Sequence, residues 1–425
     1  MWEGLLPSQP IRFPADFAWG VASSAFQAEG GDVPNDWVEW ARRGEVPPNP
    51  GNGFWERAEE DFRRVAGLGV RHYRLSVEWS RVEPERGRFD EAALDRYRAI
   101  CDAAGAAGLV PWVNLFHFTH PCWFAARGGF LEPANHGDFL RYAERVGRAL
   151  SPHARHWHSQ NESMIYVFGA YLVAEMPPGL RDGEAAVAMT RTVLELHART
   201  YGILKAIDAR NRVATIEVYM DWHPEDPADA GNVRAVEHLD RWYNGAYLDA
   251  LATGVLALPG REPVEIQGLA GALDAYGLNY YNATRIGPSG VASWSERAGA
   301  PVDAMGRLVH PAGLERGLLR VARALPGTPI LVTENGCPTT DEDFRIRYLA
   351  AHLAALERAR RAGAPVEGWF HWTAVDNYEW RHGFSDARFG LFGFDPRTLE
   401  RTPKKSAHWL QSVISRGILD PADLP

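Results

Sequence analysis

The chain has 425 residues, of which 46% are hydrophobic and 23% charged, and its formal net charge is -9. This composition is typical of a globular protein with enough apolar material for a large core. The acidic balance leaves no basic surface for a nucleic acid partner, and no stretch reaches the roughly 18 apolar residues that a membrane span needs. The 3 cysteines have no paired spacing, which excludes a disulfide framework or a cysteine-based zinc site. Because the first residues also lack a signal-peptide pattern, we expect a cytoplasmic protein that binds neither nucleic acid nor membrane.

Strand-like and helix-like segments alternate along the chain. The predicted strands lie at residues 17–24, 72–79, 109–117, 156–162, 213–220, 275–282, 329–334 and 368–376. The predicted helices have apolar residues at helical spacing and cover residues 56–67, 91–104, 138–150, 184–207, 233–251, 314–325, 343–362 and 404–415.

A strand followed by a helix, repeated through the whole chain, is the pattern of a (β/α)8 TIM barrel. Parallel strands need crossover connections, and the helices of those crossovers cover the outside of the sheet. A doubly wound open sheet is the alternative with the same alternation. No linker or change in composition divides the chain, so we expect one domain over residues 1–425. Glycine and proline collect instead in loops at 46–53 and 287–290, after the first and sixth strands.

The seventh strand ends in a carboxylate. The run PILVTENG at residues 329–336 is apolar until Thr333 and Glu334, and then meets a glycine. In a parallel barrel, the carboxyl ends of the strands and the loops after them build the functional site. Glu334 is therefore a candidate functional residue, although a cap for the following helix would explain it as well.

Other polar and aromatic residues lie at or just after the predicted strand ends. Besides Glu334 they are Gln27, Arg74, His117, Asn161, Glu162, Asn279, Tyr281, Trp372, Glu379 and Trp380. Two carboxylates from different strands are what the cleavage of a glycoside requires, one to protonate the leaving oxygen and one to meet the cationic ring carbon. Amides and a histidine suit sugar hydroxyls, and indoles suit the C–H face of a sugar ring.

The chain resembles glycoside hydrolase family 1, the β-glucosidase family, over nearly its whole length. The motifs that carry the resemblance are FPADFAWGVASSAFQAEG from Phe13, YRLSVEWSRVEP from Tyr73, FHFTHPCWF from Phe116, GLNYY from Gly277, TENG from Thr333 and WTAVDNYEWRHGF from Trp372. The resemblance implies a retaining β-glycosidase that cleaves β-linked glycosides from the non-reducing end. It also implies that no cofactor or metal takes part and that the partner is a small β-glycoside or oligosaccharide.

The resemblance further implies a role for each site residue. Glu334 would be the nucleophile and Glu162 the general acid/base, with Arg74 and Tyr281 touching the nucleophile. The glycon would be bound by Gln27, His117, Asn161, Asn279, Trp372, Glu379 and Trp380, with Trp372 as its stacking platform. An arginine beside Glu334 favours its charged form, and burial beside that charge favours the protonated form of Glu162. Retention predicts that the two carboxyl groups lie about 5–5.5 Å apart.

One departure from the family pattern concerns the acid/base itself. The family usually has proline after this glutamate, whereas this chain has Ser163. A proline would restrict the preceding residue, so its absence predicts a looser Glu162 unless Ser163 forms local hydrogen bonds. A transglycosylating β-glycosidase and a non-catalytic carbohydrate-binding member of the family are therefore alternatives. The sequence does not specify the sugar, the aglycone or the oligomeric state.

Overall fold

The computed structural model describes residues 2–287, 290–292 and 301–425. Eight parallel strands form a closed barrel in which each strand pairs with the next along the chain and the last pairs with the first. We number them β1 (Ala18–Ala22), β2 (His72–Ser76), β3 (Val110–Asn114), β4 (His156–Asn161), β5 (Arg212–Val218), β6 (Ala275–Asn279), β7 (Ile330–Asn335) and β8 (Val366–Trp372). The barrel, and not the open sheet, is the fold that the alternation predicted.

A helical segment follows each strand and covers the outside of the barrel. These segments are Phe54–Gly67, Glu91–Ala106, His136–Leu150, Gly183–Ile207, Ala230–Asp240 with its continuation Tyr247–Thr253, Pro311–Ala324, Glu342–Arg361 and Lys405–Arg416. Several begin at an aspartate whose carboxylate accepts from first-turn amides, as Asp90, Asp182 and Asp341 do. The local sequence thus sets where these helices start.

Shorter elements lie in the loops. The helical ones are Ala25–Glu29, Asp36–Arg42, Trp79–Val82, Cys122–Ala125, Gly129–Leu131, Pro133–Asn135, Ser163–Val167, Phe168–Leu172, Arg241–Ala246 and Pro421–Asp423. The short strands are Ile11–Arg12 with Ile418–Leu419, Asp221–Pro224 with Ala283–Gly287 and Gly290–Ala292, Val255–Leu256 with Val264–Glu265, and Phe392–Phe394 with Arg401–Pro403.

Large side chains fill the interior of the barrel. Trp112 from β3 stacks on His156 of β4 with ring centroids 4.1 Å apart, and it meets Phe370 of β8 edge to face. Trp112 and Phe370 form one buried cluster with Leu331 of β7. His156 therefore serves as a packing residue inside the barrel, and burial lowers its pKa to about 4.

The pairing of the strands is irregular toward the carboxyl ends of β4, β6 and β7. Asn161 pairs with Ile216 after a shift in register, and Asn279 pairs with Glu334 after another. A bulge of this kind changes the direction in which nearby side chains point. The irregularities therefore coincide with the residues on which the sequence placed the site.

The elements differ from the prediction mainly at their ends. The eighth strand was expected to reach residue 376 but ends at Trp372. The helix expected over 233–251 is interrupted by a π-helical segment, Arg241–Ala246. Of the loop at 287–290, residues 288 and 289 lie outside the described part of the chain. Among the described residues, none of the helices combines the length and the apolar character that crossing a membrane requires.

Candidate active site

Glu162 and Glu334 both lie at the carboxyl end of the barrel. Glu334 is the residue before the last one of β7, and Glu162 follows β4 directly. Glu334 is only 3% exposed and Glu162 only 8% exposed. Glu162 has a left-handed backbone with φ of 47°, which is uncommon for a residue other than glycine and is often found at functional sites. Two buried carboxyl groups at one end of a barrel need specific partners.

Glu334 is held by donors on both of its oxygens. The guanidinium of Arg74, from β2, binds Oε1, and the hydroxyl of Tyr281 donates to Oε2. Arg74 is fully buried and also donates from Nη1 to Oδ1 of Asn161 at 3.1 Å. A buried cation and a hydroxyl on one carboxylate favour its charged form. The sequence predicted both contacts.

Glu162 has different surroundings. Asn279 donates from Nδ2 to its Oε1 at 2.7 Å, and Thr333 donates to the oxygen of the same amide at 2.7 Å. Burial and the charge of Glu334 raise the pKa of Glu162 well above its usual range, while the bond from Asn279 acts in the opposite direction. The surroundings of Glu162 thus favour its protonated form.

The remaining predicted site residues surround these two. His117 lies 3.4 Å from the amide of Asn161, and its ring is parallel to those of Trp372 and Trp380 at 6.0 Å. Burial, followed by the charge of Arg74, lowers the pKa of His117 well below its ordinary value, so its ring is neutral. A neutral imidazole flanked by indoles offers a sugar both a hydrogen-bonding edge and apolar faces.

Gln27 and Glu379 complete the predicted set. Gln27 donates to the carbonyl of Tyr378 at 2.7 Å and accepts from Ser24 at 2.8 Å, so its amide fixes the loop that carries Glu379. Burial raises the pKa of Glu379 to about 7, which the nearby charge of Arg307 partly offsets. Glu379 precedes Trp380, whose ring faces that of His117, so the loop that Gln27 holds lies beside the other predicted residues.

Two further charged residues lie at the site and were not predicted. Arg307 forms an ion pair of 2.8 Å with Asp303, and its guanidinium lies over the ring of Tyr281, 5.7 Å from the centroid. No motif or strand pattern indicated it. Glu217 lies buried on β5, and its Oε2 accepts from the amide of Met164, two residues after Glu162, at 3.1 Å. An acidic residue within the run RVATIEV was the signal for Glu217.

A pocket of about 470 Å³ opens beside Glu162. Glu162, Tyr281 and Arg307 contribute to its lining, together with residues after β5 and β6. Its size is within the range of small-molecule sites. The pocket gives a ligand access to Glu162 from the loops.

Metal ligation has one candidate among the described residues. Asp221, His223 and His310 bring their ligand atoms within 4.8 Å of one another. Arg316, however, donates to Oδ1 of Asp221 at 2.6 Å, and His310 lies 2.6 Å from Oδ2. The guanidinium of Arg316 thus already supplies the positive charge that a metal ion would bring to this carboxylate.

Comparisons with known proteins agree with this geometry. The family model described as glycosyl hydrolase family 1 matches residues 9–418. Beta-glucosidase A of Thermotoga maritima is 27% identical over 443 aligned residues, which cover 96% of this chain and 99% of the relative. The beta-galactosidase of Pyrococcus woesei is 28% identical over 498 aligned residues, covering 95% and 97%.

Solved structures give the same result. The beta-glycosidase from Pyrococcus horikoshii superposes with a TM-score of 0.88 at 32% identity, covering 97% of each chain. The Thermotoga maritima beta-glucosidase in complex with deoxynojirimycin has a TM-score of 0.87 at 26% identity, covering 96% of this chain and 99% of that one. This chain therefore belongs to glycosyl hydrolase family 1 and is a retaining β-glycosidase.

Proposed function

We propose that Glu334 is the nucleophile of this glycosidase and that Glu162 is its general acid/base. The observation that carries the proposal is the unequal treatment of the two buried carboxyl groups. Arg74 and Tyr281 bind Glu334, whereas Glu162 receives a hydrogen bond from the neutral amide of Asn279. A buried acid whose surroundings favour its protonated form suits the general acid, and a carboxylate held by a cation and a hydroxyl suits the nucleophile.

In the first step, a carboxylate oxygen of Glu334 attacks the anomeric carbon and the bond to the leaving oxygen breaks. Glu162 transfers its proton to that oxygen, so an alcohol leaves and a glycosyl ester of Glu334 remains. Arg74 and Tyr281 hold the attacking carboxylate in place. Neither a metal ion nor a cofactor is needed for this step.

In the second step, water hydrolyses the ester. Esterification removes the negative charge of Glu334, and that charge is one of the causes that raise the pKa of Glu162. The pKa of Glu162 therefore falls in the intermediate, so the carboxylate form becomes accessible and takes a proton from the water. The second inversion at the anomeric carbon gives overall retention.

The substrates we propose are β-linked glucosides or close relatives, cleaved from the non-reducing end. The names of the relatives, which include a beta-glucosidase and a beta-galactosidase, support this class. His117, Asn161, Glu379 and Trp380 would bind the hydroxyls of the glycon, with Gln27 setting the position of the loop. Trp372 would stack on the sugar. Asn279 would act on the substrate indirectly, through its hydrogen bond to Glu162. The pocket beside Glu162 would take the leaving group.

We also propose that the chain acts as a single domain in the cytoplasm. Its three cysteines, Cys101, Cys122 and Cys337, are all free thiols, which supports a reducing compartment. The absence of a nucleic acid partner stays a prediction. Subcellular fractionation with an antibody to the protein would test the location.

Hydrolysis of two substrates by two variants tests the function. The wild type should cleave both 2,4-dinitrophenyl β-glucoside and cellobiose, with the β-anomer released first in an NMR time course. Glu334→Gln should lose at least about a thousandfold in kcat on both, because no other residue supplies the nucleophile. Glu162→Ala should lose far more on cellobiose, whose leaving group needs a proton.

Glu367→Ala is the matched control. Glu367 is an exposed residue near the start of β8, at the opposite end of the barrel, so its loss should leave both rates unchanged. Equal losses of Glu162→Ala on both substrates would contradict the acid role. Binding of cellobiose without turnover of either substrate would identify the non-catalytic alternative. A disaccharide or an alkyl glycoside as the main product when acceptor is added would identify transglycosylation.

A further inference from the structure

Glu217 is a buried carboxylic acid that the two-step reaction does not use. It lies near the carboxyl end of β5, and its side chain is 4% exposed. Because burying a carboxyl group without strong partners is costly, its position needs a specific explanation. The residue lies close to Glu162, because its Oε2 accepts from the amide of Met164, two residues further along the chain.

Strand β5 holds the chain on both sides of Glu162. The amide of Glu162 donates to the carbonyl of Ile216 at 2.7 Å. Two residues later, the amide of Met164 donates to Oε2 of Glu217 at 3.1 Å. The amide and hydroxyl of Ser163 and the hydroxyl of Tyr247 face the same carboxyl group. The backbone that bears Glu162 is therefore tied to two consecutive residues of the neighbouring strand.

These ties satisfy donors that would otherwise have no partner. Ser163 and Met164 are the first residues of the helix Ser163–Val167, and the first amides of a helix have no acceptor within it. At the position of Ser163, the family usually has proline, which fixes its own φ and has no amide hydrogen. With serine there, this chain has one more buried donor and one less backbone restraint. The hydroxyl of Ser163 also donates to Gln160 at 2.8 Å, which is a local bond of the kind the sequence analysis considered.

The conformation of Glu162 makes such a restraint necessary. Its left-handed backbone persists only where the surroundings determine it fully. A shift of about 1 Å in a reacting group can reduce the rate a hundredfold. Because no proline follows Glu162, the direction of its carboxyl group depends on the residues that contact it.

We propose that Glu217 is a positioning residue that replaces the missing proline: it holds the first turn after Glu162 and thereby fixes the direction of the acid/base carboxyl group. This inference rests on the role proposed for Glu162. It assigns Glu217 no contact with substrate. Its predicted effect is on proton transfer to the leaving group and not on attack by Glu334.

The protonation of Glu217 is consistent with that role. Burial raises its pKa to about 8, so its carboxyl group is neutral near pH 7 and adds no second negative charge beside Glu162. The other titratable groups that face it are Glu162 after β4, Tyr243 and Tyr247 from the segment after β5, and Tyr276 on β6. Burial raises the pKa of each of these groups well above its usual value, so all of them are neutral with Glu217.

Leaving-group dependence tests the proposal. Glu217→Ala should lower kcat on cellobiose about tenfold to a hundredfold, while kcat on 2,4-dinitrophenyl β-glucoside falls less than about threefold. Glu217→Gln, which keeps a neutral acceptor for the Met164 amide, should recover most of the loss. Ser163→Pro combined with Glu217→Ala should recover part of it, because proline restores the restraint and removes a donor.

Thr215→Val is the matched control, since Thr215 is buried on the same strand and its hydroxyl lies 3.0 Å from that of Tyr247. It should leave the ratio of the two rates as in the wild type, even where thermal unfolding shows a loss of stability. Glu217→Ala with a wild-type ratio, or with equal losses on both substrates, would overturn the proposal. If Ser163→Pro combined with Glu217→Ala recovers none of the rate on cellobiose, Glu217 does not take the place of the proline. If Glu162→Ala itself shows no dependence on the leaving group, the acid/base assignment has failed instead.

Discussion

Asn279 donates a hydrogen bond of 2.7 Å from Nδ2 to Oε1 of Glu162, and its own oxygen accepts from Thr333 at 2.7 Å. The Thr333 hydroxyl thus fixes which end of the amide faces Glu162, so the amide hydrogens and not the oxygen point at the carboxyl group. β7 therefore contributes Glu334 to the site and also, through the residue before it, orients the partner of Glu162.

The first prediction concerns Asn279→Ala. The bond from Asn279 lowers the pKa of Glu162, so its loss should raise that pKa further and move the basic limb of the kcat/KM profile to higher pH. The substitution also leaves the Thr333 hydroxyl without its acceptor, and a buried donor without a partner costs about 1–3 kcal/mol. We expect kcat/KM for cellobiose to fall about tenfold to a hundredfold. A basic limb that moves to lower pH would contradict the assignment, and Asn279→Asp is a comparison that introduces a second carboxyl group beside Glu162.

The second prediction concerns the change of Glu162 between the two steps. The charge of Glu334 raises the pKa of Glu162, so a glycosyl ester on Glu334 should lower it. A 2-deoxy-2-fluoro glucoside with a good leaving group traps that ester. NMR titration of carbon-13-labelled glutamate, with Glu162→Gln to assign the signal, should show the Glu162 carboxyl ionising at lower pH in the trapped enzyme. The same pKa in both forms would mean that the two groups do not interact.

The barrel was predictable because strand-like and helix-like segments alternate through the whole chain. The ends of the elements were less predictable: the eighth strand was expected to reach residue 376 but ends at Trp372. Glu162, Glu334 and Arg74 lie in local motifs that indicated a shared site. Arg307 was not predicted, because it reaches Tyr281 from a loop without a pattern of its own. The link between Glu217 and Met164 joins residues 53 positions apart, and no local pattern carries it.

The third prediction separates charge from geometry at Arg74. One Nη atom of Arg74 binds Glu334 and the other binds Asn161, a fork that lysine cannot reproduce. Arg74→Lys should lower kcat about tenfold to a hundredfold by losing one charge-assisted hydrogen bond. Arg74→Met leaves the Glu334 charge unpaired and should reduce the free energy of unfolding by about 3–5 kcal/mol.

Arg401→Lys is the control for this prediction. Arg401 forms a buried ion pair of 2.8 Å with Asp61, away from the site. This substitution should lower stability, measured by thermal unfolding, without lowering kcat. Equal effects of the two lysine variants on kcat would show that Arg74 acts only through the fold.

The fourth prediction concerns recognition of the glycon by Glu379. Glu379→Ala should lower kcat/KM for an aryl β-glucoside about tenfold to a hundredfold, the effect of losing a hydrogen bond to a charged group. Glucosides that lack the 4-hydroxyl or the 6-hydroxyl locate the contact. If Glu379 binds one of these hydroxyls, Glu379→Ala should reduce kcat/KM only slightly for the glucoside that lacks it. Asp386→Ala, an exposed residue of the same segment, should behave as the wild type. The loss caused by Glu379→Ala could instead simply add to the loss caused by removing a hydroxyl, for both deoxy sugars. That result would exclude a contact between Glu379 and either hydroxyl.

The fifth prediction is that the folded protein becomes less stable as the pH rises toward 8. Burial raises the pKa of Glu29 and Glu379 to about 7 and that of Glu217 to about 8, from an ordinary value of 4.5. Between the ordinary and the raised values, the folded state binds more protons than the unfolded state, so the free energy of unfolding falls as pH rises through this window. Each group contributes up to about 1.4 kcal/mol per pH unit.

Urea unfolding at several pH values between pH 7 and 8 measures this slope. Below the ordinary histidine value of 6.5, buried histidines with lowered pKa values, such as His117 and His156, give the opposite slope. A glutamine at position 217 cannot ionise. In Glu217→Gln, the free energy of unfolding should therefore fall less steeply with pH than in the wild type. Glu367→Gln, at an exposed position, should leave the slope unchanged. A free energy of unfolding that rises between pH 7 and 8, or a slope that Glu217→Gln does not alter, would show that the buried acids are already ionised and that Glu217 places a negative charge beside Glu162.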